Sequence, residues 1–141
     1  MVGGLPQNPR PPFYYQPPFY IGGLEHLCYD TASILKNGKI RLVEPFSDYK
    51  RVLFPELKKY SAEFNGETEV FITAGAGMAP RTFKELGIMN FHEATIRWPG
   101  FVKFVKDIPR RKFQETIAST IDIPIGRENH DLVIMKIVAK P

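Results

Sequence analysis

The sequence predicts an α+β domain: a mixed, largely antiparallel sheet with helices packed mainly on one face. Three observations carry that expectation. In "SILKNGKIRLVEP" two β-rich runs flank Asn37-Gly38, a pair that tolerates positive φ at both centres of a type I′ turn, so the runs should pair antiparallel. Elsewhere, short β-type runs alternate with stretches that repeat apolar residues at helical spacing, each bounded by Pro or Gly. Two helical patterns then follow one another late in the chain, ahead of a last apolar run.

The elements follow in order. Residues 1–20 read as a proline- and aromatic-rich opening loop, because six prolines between Pro6 and Pro18 disfavour helix and central strand alike. Phe13, Tyr14, Tyr15, Phe19 and Tyr20 carry too much aromatic surface for a solvated linker, so the loop should pack on the domain. In "IGGLEHLCYD", Leu24, Leu27 and Cys28 share one stripe of a short helix. After the hairpin, which Pro45 closes, "YKRVLFPELKKYSAEF" offers further β-type runs interrupted by Pro55. "EVFITAGAGMAP" is a strand entering a Gly/Ala turn, followed by a helix with Pro80 in its first turn and Gly87 at its C-terminal end. "NFHEATIRW" alternates as a strand, and "PGFVKFVKDI" predicts a helix that starts at Pro99 and buries Phe101, Val102, Val105 and Ile108. "RRKFQETIASTI" repeats that pattern through Phe113, Ile117 and Ile121, and "DLVIMKIVAK" is the last strand. At 141 residues and 43% hydrophobic, the chain suffices for one core, so residues 1–141 are expected to form a single domain.

Composition narrows the function. A formal net charge of +4, with Lys and Arg scattered, gives only a mild attraction for anions and no basic block for nucleic acid. Cys28 is the only cysteine, which excludes an internal disulfide and a Cys-rich zinc site and favours a reducing, cytoplasmic setting. No run approaches the ~20 apolar residues of a membrane helix, so no membrane partner is expected.

Among candidate chemical groups, His26, His92 and His130 are too dispersed for a metal site, and His92, shortly before Arg97, is the one to test as an acid or base. "TAGAGMAP" places Gly75 and Gly77 between a strand and a helix. It lacks the third glycine and the acidic residue of a dinucleotide fingerprint and reads as a tight turn whose backbone N–H groups are available to a ligand carboxylate. The aromatics of "RWPGFVKFVKDIPRRKF" fall on the helix's apolar stripe, which favours core packing over nucleic-acid stacking. Arg97, at a strand end ahead of Pro99-Gly100, fits either a bidentate grip on a carboxylate or a surface ion pair.

Taken together, "VGGLPQNPRPP", "ASILKNGKIRLVEP", the Thr73-to-Phe83 turn and helix start, "ATIRWPGFVKF" and "DLVIMKIVAK" resemble the C-terminal substrate and dimerisation domain of saccharopine dehydrogenase-like oxidoreductases, a group with saccharopine reductases and lysine dehydrogenases. The resemblance implies a two-domain enzyme of lysine-type metabolism that uses NAD or NADP on the CH–NH group of an amino acid or amino-acid adduct. Its Rossmann cofactor domain would be absent from this chain, which should then not turn over alone. It also implies a carboxylate anchor at Arg97, a substrate site including Thr73, Gly75, Gly3 and Gly4, a crossover at Gly3 and Gly4 near the cofactor, and a homodimer formed through the sheet. Two departures stand out: Phe19-Tyr20 where the family commonly has Trp-Ser, and Phe101 where it commonly has histidine. A non-catalytic homodimeric assembly module is the alternative reading.

Overall fold

The computed structural model describes residues 2–7, 9–17, 20–121, 131–135 and 137–138; Phe19 and His130 lie outside them. Five strands form the main sheet: β1 (Val2–Pro6), β4 (Lys50–Leu53), β5 (Glu67–Ile72), β6 (Ala94–Arg97) and β7 (Asp131–Met135), in the order β4-β5-β6-β1-β7. All neighbours are antiparallel except β1 and β6, which run parallel with Val2 beside Thr95. β2 (Ala32–Lys36) and β3 (Lys39–Val43) make a separate hairpin. The α+β class and the mixed sheet are therefore as the sequence predicts.

The hairpin turn is the expected one, with Asn37 at φ 52° and Gly38 at φ 71°. The first residues differ from expectation. Val2–Pro6, read as part of a loop, is a strand inside the sheet, because Pro6 closes it and leaves the preceding N–H groups free to pair with β6 and β7. The alternation of "NFHEATIRW" runs further than its pairing: β6 starts at Ala94, and Phe91 makes only an isolated bridge to Leu35 of the hairpin.

Four helices follow their sequence patterns: α1 (Ile21–Tyr29), α2 (Ala79–Glu85), α3 (Phe101–Lys106) and α4 (Phe113–Thr120). Pro99 and Gly100 form the turn into α3 rather than its first residues, with Gly100 at φ 101°, where a side chain would be strained and would meet the Tyr14 ring at 3.0 Å.

Period-2 alternation sends β5 and β6 side chains to two cores. On the helix face, Phe71 packs with Leu24 and Cys28 of α1, Phe101, Val102 and Val105 of α3, and Phe113 and Ile117 of α4. On the other face, Leu5, Val70, Ala94, Ile96 and Trp98 are covered by Phe54 and Leu57, with Tyr60 and Phe64 alongside. The aromatics of residues 13–15 join both: Phe13 and Tyr15 pack against Phe101, and Tyr14 meets Phe64 edge-on. Trp98 is fully buried, stacks on Phe64 and donates its indole N–H to the Pro6 carbonyl (2.9 Å).

Replacing Trp98 by Phe keeps a ring in this core but leaves the Pro6 carbonyl without its donor. Stability should fall by about 1–3 kcal/mol, read from the urea midpoint at unchanged slope; an unshifted midpoint would contradict this account.

Candidate functional site

Of the residues proposed from sequence for ligand binding, Thr73 and Gly75 lie just beyond the end of β5, beside the start of β6, while Arg97 lies at the other end of β6. Thr73 follows the last residue of β5, and Thr95 is the second residue of β6; their hydroxyl oxygens are 2.8 Å apart. Thr73 is buried and Thr95 half-buried, so this hydroxyl pair lies at the floor of the site. Gly75 follows in a 3₁₀ turn, Ala74–Ala76, with its backbone exposed. A Cβ at Gly75 would lie 3.3 Å from Glu93 Oε1, 3.4 Å from Leu27 Cδ2 and 3.5 Å from Thr73 Oγ1, so the missing side chain leaves open a space bordered by oxygens. Val2 flanks Thr95, which brings the Gly3-Gly4 backbone alongside β6 on its other edge.

Arg97 lies two residues beyond Thr95 on the same face. It is buried rather than open at the sheet's mouth: its guanidinium lies 4.0 Å from the Tyr15 ring centroid and 5.5 Å from that of Phe101, and Nη1 donates to the Ile96 carbonyl at 2.8 Å. The reason is the path of residues 13–17, whose aromatics fold back over α3 and close above the arginine. Any ligand carboxylate therefore reaches Arg97 past Tyr15.

Opposite Arg97 in register on β5 is Glu69, which the sequence reading did not single out. Its buried carboxylate accepts the N–H of Gly100 (3.1 Å), the N–H of Val102 (3.0 Å) and the Tyr49 hydroxyl (3.1 Å). Glu69 thus holds the turn that follows Arg97. The only signal in the sequence is one acidic residue inside the apolar run "TEVFI", because its partners, two backbone N–H groups and the Tyr49 hydroxyl, are all distant along the chain.

The remaining candidates are less engaged. His92 is exposed, next to Glu93 but outside the paired strand. His26 hydrogen-bonds Asp30 on the surface, where Arg110 also bridges Glu25 (2.9 Å) and Asp30 (2.6 Å), tying α1 to the start of α4. Hydrogen bonds from Gln114 and Arg110 hold the Glu25 carboxyl below its usual range, and those from Arg110 and His26 do the same for Asp30. Both carboxylates therefore favour the folded state above their ordinary range, and that contribution is lost as pH falls through the lowered values. Among the described residues no group of three His, Cys, Asp or Glu side chains is placed to hold a metal ion. No helix among them is long and apolar enough to cross a membrane.

The Gly75–Gly77 turn follows a strand whose neighbours among the described residues are both antiparallel, and it leads into a helix of seven residues, so this turn is not part of a βαβ unit. Fold and site together describe a mixed-sheet domain with a polar corner where β5 ends beside the start of β6. No family model matches the chain. Among solved structures it is similar to the apo, histidine-tagged saccharopine dehydrogenase (L-Glu forming) from Saccharomyces cerevisiae, with a TM-score of 0.50 and 21% identity over 74% of this chain. The match covers 23% of that enzyme. At that identity the likeness is one of fold.

Two expectations follow. Glu69→Gln replaces one of the two acceptor oxygens by an NH₂, so the side chain can no longer accept from both Gly100 and Val102; stability should drop by about 1.5–3 kcal/mol, with the loss visible as faster amide exchange at one of those two residues. Burial pushes the Cys28 thiol up to about 12, against a smaller opposing pull from Arg97. Alkylation of Cys28 by iodoacetamide at roughly pH 8 should then proceed no faster than global unfolding; rapid labelling of the native chain would contradict the buried, neutral thiol.

Proposed function

We propose that this chain is the substrate-binding and dimerisation domain of a saccharopine dehydrogenase-like oxidoreductase, acting on the CH–NH group of an amino acid or amino-acid adduct. NAD or NADP is held by a separate Rossmann domain, and the chain alone is inactive. The reading places the enzyme in lysine-type metabolism in the cytoplasm, as a homodimer. The observation that supports it is the run of polar groups Thr73, Thr95 and Arg97 along one face of β6, with Gly75 beside its start and the Gly3-Gly4 strand alongside, in a domain similar in fold to part of saccharopine dehydrogenase. In this reading Arg97 anchors a substrate carboxylate, its fork pre-set by Tyr15 and Phe101. His92, exposed beside the corner, is the candidate acid or base.

A non-catalytic homodimeric module is the second reading. One observation favours it: among the described residues β7 pairs with β1 alone, at the rim of the sheet, and carries exposed Val133, with Ile137 and Val138 exposed just beyond. A strict monomer by light scattering at high concentration removes this reading and the dimer half of the first.

The experiment for the leading reading is calorimetric titration of the chain with saccharopine, glutarate and NADH. Saccharopine and glutarate should bind, and Arg97→Ala should weaken both by about 1.5–3 kcal/mol, the loss expected for a charge-assisted contact. Unchanged affinity in the variant overturns the anchor. Micromolar binding of NADH to this chain overturns the division of labour between domains.

A further inference from the structure

We propose that Glu93, Thr73 and Thr95 form an amine-binding subsite over Gly75, which takes a ligand's primary ammonium group. The proposal rests on the reading of the chain as an amino-acid-binding domain, and it adds a residue and a ligand chemistry to that reading.

An ammonium carries three donors and no acceptor, so it is best held by three oxygens with one negative charge among them. Two oxygens of such a set, Glu93 Oε1 and Thr73 Oγ1, border Gly75, and the Thr95 hydroxyl lies next to that of Thr73. The Thr73 and Thr95 hydroxyls share one hydrogen bond at 2.8 Å, which consumes a single proton and leaves lone pairs on both oxygens. Glu93 supplies the charge. Its carboxylate is half-buried, and among the described residues no Lys or Arg forms an ion pair with it, in a chain of 19 basic side chains where other half-buried carboxylates have such partners.

Access and shape fit the same ligand. Gly75 is exposed, and its missing Cβ leaves open the position that would lie 3.3 Å from Glu93 Oε1 and 3.5 Å from Thr73 Oγ1. Leu27 Cδ2 borders the same position and offers an apolar wall to the carbon that bears the amine. A divalent cation is a poorer occupant, since it calls for several carboxylate or carbonyl oxygens and only one carboxylate is present. Along β6, Thr95 and Arg97 are two residues apart on one face, about 7 Å at the usual strand rise. An amino acid with its amine over Gly75 therefore directs a carboxylate toward Arg97.

The test is titration of the ¹⁵N-labelled chain with 1,5-diaminopentane, which has no carboxylate, and separately with glutarate, which has no amine. The diamine should shift the amides of Gly75, Glu93 and Thr95, and Glu93→Gln should weaken it by about tenfold or more, whereas Glu85→Gln, on the exposed end of α2, leaves it unchanged. Thr73→Val should weaken it as well. Absent shifts at these amides, equal affinity in Glu93→Gln, or an equal loss in Glu85→Gln overturns the subsite. Glutarate judges the parent reading separately: if it binds through Arg97 while the diamine fails, the domain reading stands and the subsite falls. If the diamine binds as described and glutarate does not, the subsite stands without the carboxylate anchor.

Discussion

The buried carboxylate of Glu69 is the constraint on which the turn into α3 and the cover of Arg97 depend. α3 has six residues, too few to be stable as an isolated helix, and no side chain of its own caps its first turn. Its leading donors, the N–H groups of Gly100 and Val102, are satisfied across the fold by Glu69 from strand β5. With the turn fixed, Phe101, Val102 and Val105 reach the core beside Phe71, and their burial holds the helix in place. Phe101 in turn gives Phe13 and Tyr15 a surface to pack on, and those rings close over Arg97. One acidic side chain therefore governs the start of a helix, the course of the first residues and the setting of a buried cation.

Both faces of the sheet meet at the same corner. Trp98 ties β6 to the end of β1 on one face, while Arg97, its neighbour in sequence, points to the other. Tyr14 lies against Gly100, and only a residue without a side chain allows that approach.

Local chemistry was easy to read in the sequence and long-range packing was not. Asn37-Gly38, Pro80 and Gly87 announce their turns and helix limits within a few residues, and the apolar stripe of α3 is buried as its spacing requires. β1 was missed because two glycines and a proline in five residues carry no strand pattern; what makes it a strand is the pair of neighbours it slots between. Thr73 and Gly75 could be placed in a turn between strand and helix, but their junction with Thr95 and Glu93 depends on the register of β5 against β6. Arg97 was legible as a strand-end arginine. Its cover by Tyr15, more than eighty residues earlier, was not.

The β2–β3 hairpin stands apart from the main sheet. It is joined through the reciprocal Leu35–Phe91 bonds, the Gly38 N–H to the Met89 carbonyl and the Asn37 N–H to the Asn90 side chain, with Phe83 and Phe91 packed ring against ring beneath it. Ala32 and Leu35 on its inner side are buried, whereas Asn37 at its tip is exposed, so the tip can lengthen at small cost in loop-closure entropy. In a lineage of such domains this arm is where new sequence can be tried, while the corner around Glu69 has no such freedom.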